Sequence, residues 1–173
     1  SPDGVTWTDR YFAENNKHQR AIAWNGNTGA PVYLSCGDSG SLYRSTNGTS
    51  WSAVATTSFL PSGATLGALA FGNGTFVMTS RYTTGSVERV FVSPDGLSWT
   101  NVSAGSTITE NNHGGTTVVF ANSRFIISGD GYYTSSGSKV LTSFNNGQSF
   151  SSTRTRRENM EGIAYGGGVY FGA

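Results

Sequence analysis

The chain has 173 residues, a formal net charge of +1 and only 12% charged residues. Apart from Arg154, Arg156 and Arg157 it carries no basic cluster, which argues against binding nucleic acid through phosphate neutralisation. No run of about 18 apolar residues offers a membrane-spanning helix. Its 24 glycines and 13% aromatics, set among Ser, Thr and Asn, favour short strands and tight turns in an all-β domain long enough to bury a core.

In chain order, Ser1-Pro-Asp-Gly-Val-Thr-Trp7 comes first and reads as a turn. Asp-Gly supplies the positive φ of a tight hairpin, and the Ser hydroxyl and Asp carboxylate can hold turn amides. Trp7 can plug the gap beneath the turn with its large apolar area. A polar stretch, Glu14-Asn15-Asn16-Lys17-His18, leads into three strand-like runs at 20–24, 31–36 and 41–45. Cys36 lies in the second run, where a lone cysteine serves as a small buried apolar residue, and no internal disulfide is possible. Ser45-Thr-Asn-Gly-Thr-Ser-Trp51 then repeats the opening turn, and the run after it makes a fourth strand.

The pattern recurs twice more. Runs at 66–71, 75–79 and 89–93 lead to Ser93-Pro-Asp-Gly-Leu-Ser-Trp99. Runs at 116–120, 124–128 and 139–143 lead to Ser143-Phe-Asn-Asn-Gly-Gln-Ser-Phe150. Gly72-Asn-Gly74 and Ala121-Asn-Ser123 join first strands to second. The chain ends in two more runs, at 161–165 and 168–173. Turns starting at Ser1, Ser45, Ser93 and Ser143 give a period within the ~40–50 residues of a propeller blade.

These four segments resemble the Asp-box, or BNR repeat, whose pattern is roughly Ser-x-Asp-x-Gly-x-Thr-Trp. The matching positions are Ser1, Asp3, Gly4 and Trp7; Ser45, Asn47, Gly48 and Trp51; Ser93, Asp95, Gly96 and Trp99; and Ser143, Asn145, Gly147 and Phe150. The first three copies are one residue shorter before the glycine, and the last replaces Asp with Asn145 and Trp with Phe150. The resemblance implies a β-propeller with each box in the turn between third and fourth strands, and it makes Asp3 and Asp95 structural. The predicted architecture is a single all-β propeller segment with blades of four antiparallel strands. Its units lie at about 9–54, 55–103 and 104–152, with a split fourth from 153–173 plus 1–8. Two readings of this partial ring stay open: a fragment of a larger propeller, or a chain that closes against another copy. Either way, open strand edges predict that it does not persist as an isolated monomer.

In a propeller the boxes share one face with the first-to-second-strand turns. Blade connections and second-to-third-strand loops share the other, which is the expected functional face. Glu-Asn recurs there before three innermost strands, at Glu14 and Asn15, Glu110 and Asn111, and Glu158 and Asn159, joined by His18 and His113. These groups either ring a ligand site at the channel mouth or cap their own loops. Gly37-Asp-Ser-Gly40, a loop holding Arg81 and Tyr82, and a loop holding Asp130, Tyr132 and Tyr133 complete the face. The two tyrosines are candidate platforms for a sugar ring and Asp130 a hydroxyl acceptor.

Asp-box propellers include sialidases, but the scattered arginines and the absence of a Phe-Arg-Ile-Pro-like segment argue against that chemistry. Glycosidases also need two carboxylates roughly 5–10 Å apart. The favoured function is a non-catalytic carbohydrate- or protein-binding or scaffold module, with no catalytic residue, metal or cofactor. The Ser/Thr/Gly/Asn-rich repeats resemble phage-tail and bacterial-surface proteins and imply an extracellular, cell-surface or virion location. Expected partners are a glycan or protein ligand and further blades, with no nucleic acid or membrane. The alternative is a piece of a sialidase-like glycoside hydrolase whose catalytic groups lie partly outside the chain. Three formal glycosylation sequons start at Asn47, Asn73 and Asn101, two of them inside repeat turns.

Overall fold

The computed structural model describes residues 1, 3–10, 17–81, 89–103, 114–130, 139–154 and 160–173, with Arg81, Gly114, Asp130 and Arg154 described by backbone alone. Strands β1 (Gln19–Trp24), β2 (Tyr33–Gly37), β3 (Leu42–Ser45) and β4 (Ser52–Ala53) form one antiparallel sheet. The second sheet contains β5 (Thr65–Gly72), β6 (Thr75–Arg81), β7 (Val90–Ser93) and β8 (Thr100–Asn101). The third contains β9 (Gly114–Ala121), β10 (Arg124–Asp130), β11 (Lys139–Ser143) and β12 (Ser151–Arg154). β13 (Ile163–Gly166) and β14 (Val169–Gly172) pair by themselves. Strand order follows the chain in every sheet, so each is a meander of the kind that builds a propeller blade. Described residues among 1–10 form no strand and are exposed.

One aromatic pair fixes the register of every blade. Trp24 pairs with Tyr33, Phe71 with Phe76, Phe120 with Phe125 and Tyr165 with Tyr170. Their ring centroids lie 5.9, 4.6, 4.7 and 4.6 Å apart. Beyond two of these pairs the chain reverses through positive φ, at Asn73 (45°) and Gly74 (78°), and at Asn122 (47°) and Ser123 (57°). Asn is among the side chains that tolerate that region best.

Counting from the aromatics explains the core. On a strand, successive side chains face opposite ways, and here each way leads to a different neighbouring blade. Leu34 and Cys36 of β2 face forward, and Leu69, Phe76, Met78 and Phe91 of the second blade face back, to make one buried cluster. Val77, Val90 and Val92 face forward to meet Val118, Phe125, Ile127 and Phe150 of the third blade in another. Strands that must be apolar on both faces read as continuous hydrophobic runs, as β6 and β10 do. Each such side chain contributes about 1.5–3 kcal/mol through burial, so interfaces between blades, more than any single sheet, hold the molecule together.

Backbone contacts make those interfaces close. A Cβ on Gly72 would fall 1.9 Å from the Phe120 ring, and one on Gly115 would lie 2.6 Å from Thr79. Thr79 Oγ1 donates to the Gly115 carbonyl at 2.8 Å and accepts from the Ala68 amide at 3.1 Å. Tyr170 donates its hydroxyl to the Ala121 carbonyl at 2.6 Å, tying the two-stranded unit to the third blade.

Candidate functional site

The four repeat turns share one hydrogen-bond scheme. The Ser hydroxyl donates to the Asp or Asn Oδ1 at 2.9, 3.1, 3.0 and 2.9 Å for Ser1, Ser45, Ser93 and Ser143. The same hydroxyl accepts the glycine amide of Gly4, Gly48, Gly96 and Gly147 at 2.8–2.9 Å. In the first three turns Oδ1 also accepts two successive amides, from Val5 and Thr6, Thr49 and Ser50, and Leu97 and Ser98. In the fourth it accepts the Ser149 amide at 3.0 Å. These bonds hold the Asp3 carboxyl down at about 2 from an ordinary 3.8, chiefly through the Thr6 and Val5 amides and the Ser1 hydroxyl. Burial pushes Asp95 up, but the Ser98 and Leu97 amides and the Ser93 hydroxyl outweigh it, so its pKa also lies below the ordinary value. Both carboxylates stay ionised, with Oδ1 held by three donors in each, which suits a structural brace and not proton transfer.

The closing aromatics differ in burial. Phe150 is 5% exposed and Trp99 is half-buried, with its indole N–H on the Gly96 carbonyl at 3.3 Å. Trp7 makes the same internal bond to Gly4 at 3.1 Å but is 77% exposed, because no described sheet lies beneath it. Expected as a plug, Trp7 stands in solvent.

Asn73 Nδ2 donates to Asn146 Oδ1 at 2.6 Å, joining a first-to-second-strand turn to the repeat turn of the next blade. That bond puts both turn types on one face, at the other end of the sheets from the Asp38–Gly40 turn. A cleft of about 240 Å³ opens on the turn face between the first two blades, rimmed by Asn47, Val54 and Leu97. Across this junction Arg44 Nε donates to the Asp95 carbonyl at 3.1 Å.

The opposite face is described best at the first blade. Asp38–Gly40 forms a 3-10 turn closed by the Ser41 amide on the Asp38 carbonyl at 3.0 Å. The Asp38 amide donates to the His18 carbonyl at 3.0 Å, and Thr56 Oγ1 donates to the Gly40 carbonyl at 3.1 Å. Arg20 Nε donates to Asp38 Oδ1 at 2.6 Å with both side chains partly exposed. Gln19 donates through Nε2 to Ser41 Oγ at 3.1 Å and accepts from Ser35 Oγ at 3.0 Å. A fixed turn thus offers a guanidinium and a carboxylate side by side at a wet surface, a pair that can bind hydroxyl or carboxylate groups. The Gln19 amide is engaged by buried Ser35 and Ser41.

Of the residues expected on this face, His18 is exposed just before β1. Arg81 and Asp130 are the last residues of β6 and β10, paired with Thr65 and Gly114 at the sheet ends that correspond to Asp38. Glu14, Asn15, Tyr82, Glu110, Asn111, His113, Tyr132, Tyr133, Glu158 and Asn159 lie outside the described residues. Asp38 was expected on this face within the 37–40 loop, but its pairing with Arg20 was not. Its signal was present in the β1–β2 register, which sets Gln19 opposite Gly37 and brings their neighbours together. Cys36 is fully buried, and burial pushes its thiol up to about 12, as suits a core residue. Among the described residues no cluster of three His, Cys, Asp or Glu could hold a metal, and no helix is long and apolar enough to cross a membrane.

Residues 1–148 match the model of the DUF6242 beta propeller domain, which covers most of the chain. The chain belongs to that family. No curated protein matches it. Among solved structures it is similar to "YCF48 bound to D1 peptide", with a TM-score of 0.58 and 8% identity over 90% of this chain and 50% of that one. At that identity the likeness is one of fold, and the DUF6242 chain spans about half the length of its structural neighbour.

Proposed function

We propose that this DUF6242 segment is a non-catalytic binding or scaffold propeller of Asp-box type, whose loop face engages a carbohydrate or protein ligand outside the cell or on a virion surface. The observation that carries the reading is the division of labour between its two faces. On the turn face, Asp3 Oδ1 and Asp95 Oδ1 each accept two backbone amides, and the repeat hydrogen bonds close on themselves. On the loop face, Arg20, Asp38 and Gln19 surround a fixed turn and retain exposed surface. The Asp-box assignment is supported by the shared Ser–Asp/Asn–Gly scheme in all four turns. The neighbour printed with a bound peptide lends weight to a peptide as one ligand class.

The test is a binding screen of the 173-residue chain against immobilised glycans and peptides, followed by Tyr132→Ala, Tyr133→Ala and Asp38→Ala. A binding loop face predicts roughly tenfold or greater loss for at least one variant with the fold retained. A folded chain that binds no member of either library, or that releases sugar from a chromogenic glycoside, would overturn the reading.

A further inference from the structure

Asn-Gly occurs four times in the chain, at Asn25, Asn47, Asn73 and Asn146. This dipeptide is prone to spontaneous loss of the side-chain amide, because glycine leaves its backbone nitrogen unshielded and able to reach the preceding Cγ. The fold treats the four copies differently. Gly48 and Gly147 donate their amides to Ser45 Oγ and Ser143 Oγ, each at 2.9 Å. Gly147 is also seated against the preceding blade, since a Cβ there would lie 3.0 Å from Val77, as one on Gly96 would lie 2.7 Å from Leu34. Asn47 is held through Oδ1 by the Thr49 and Ser50 amides. Asn25 is pinned by three side-chain bonds. Its Nδ2 donates to the Ala30 carbonyl at 3.0 Å, and its Oδ1 accepts the Asn27 and Val32 amides at 3.2 and 3.0 Å. Asn73 differs from all three. It and Gly74 are exposed, the Gly74 amide has no acceptor among the described residues, and a Cβ on Gly74 would meet nothing within 4 Å. Among the described residues its side chain makes one bond, from Nδ2 to Asn146 Oδ1 across the boundary between the second and third blades.

We infer that Asn73 is a self-modification site, at which deamidation unties these two blades on the turn face. The Gly74 nitrogen attacks Asn73 Cγ and forms a C–N bond that closes a succinimide ring. The Cγ–Nδ2 bond breaks, and Nδ2 leaves as ammonia with the proton that the Gly74 amide gives up. Water then opens the ring at either carbonyl, to aspartate or isoaspartate. Neither carboxylate can donate to Asn146 Oδ1, so the tie is lost. The isoaspartate form also lengthens the backbone of a tight hairpin turn held at positive φ by Asn73 and Gly74. The new negative charge cancels the formal net charge of +1. The inference is independent of any ligand on the loop face.

The experiment is to hold the 173-residue chain in mildly alkaline buffer, folded and in urea, and to follow each Asn-Gly by peptide mapping and isoaspartate-specific methylation. In the folded chain Asn73 converts roughly fivefold or more faster than Asn47 and Asn146, whose glycine hydrogen bonds must break before attack. In urea the four rates converge. Ser45→Ala, which frees the Gly48 amide, raises the rate at Asn47 and leaves Asn73 unchanged, with circular dichroism confirming the sheet. Should that variant unfold, the native rates decide by themselves. Equal rates in the folded chain, or faster conversion at Asn25, Asn47 or Asn146, overturn the site. The lost tie is read separately. Asn73→Asp lowers the denaturation midpoint, whereas Asn146→Asp, which keeps the acceptor, does not. A midpoint for Asn73→Asp equal to that of the native chain overturns the untying.

Discussion

At the scale of single residues, the repeat turns work because one oxygen accepts several donors. Asn47 and Asn145 hold the same place as Asp3 and Asp95, so geometry rather than charge is the common requirement. Asp95→Asn should therefore cost no more than roughly 0.5 kcal/mol, while Asp95→Ala, which strands the Leu97 and Ser98 amides, costs about 1 kcal/mol, as loss of a comparable cap does. Chemical denaturation of both variants checks the difference. Charge shows in the pH dependence. Both carboxyls have folded pKa values below their unfolded ones, so their contribution is complete above the ordinary 3.8 and disappears as pH falls through the folded value. For Asp3 that window runs from about 4 down to about 2, and a side-chain NMR titration should give its midpoint near 2.

Two buried hydroxyls make a second comparison. Thr79 and Ser128 hold equivalent places on β6 and β10, each 1% exposed. Thr79 bridges two blades, but Ser128 Oγ has no partner among the described residues. Thr79→Ala should destabilise by about 1–3 kcal/mol, whereas Ser128→Ala should be neutral or stabilising, read as shifts in the denaturation midpoint.

At the scale of elements, strands were legible because their pattern is periodic and their boundaries are chemical. Runs expected at 75–79, 124–128 and 139–143 fall within β6, β10 and β11, and Asn73 and Asn122 mark their turns. What periodicity alone did not show was which neighbour each side of a strand faces, since β6 is apolar on both sides and alternation is hidden. Gly72 illustrates the point. In sequence it is part of a Gly-Asn-Gly turn, and in the fold it is where the Phe120 ring of the next blade presses on β5. Gly72→Ala should cost about 1–3 kcal/mol through overpacking. In a double-mutant cycle, Phe120→Leu should recover part of that loss, because the two sites share one contact.

At the scale of the whole molecule, the architecture follows from a unit that cannot bury both sides of its strands alone. Three blades stack to do so, and each stacking step uses the same seat and the same glycine. The site was less legible than the fold for a physical reason. Its expected members lie in connections that carry no periodicity, and only the first blade's Asp38–Gly40 turn, held by His18 and Thr56, is described in side-chain detail. Arg20 and Asp38 came together through strand register, which a sequence reveals only once the hairpin is assumed.

The central claim is that one face braces the propeller and the other binds. It is tested most directly by mapping backbone amide shifts while titrating a glycan or peptide ligand taken from the binding screen. The account predicts that shifts concentrate at His18, Asp38, Ser39 and Gly40, with Gly48, Gly96 and Gly147 unmoved. Shifts centred on those three turn glycines and the Leu97 cleft, with the Asp38 turn silent, would contradict it.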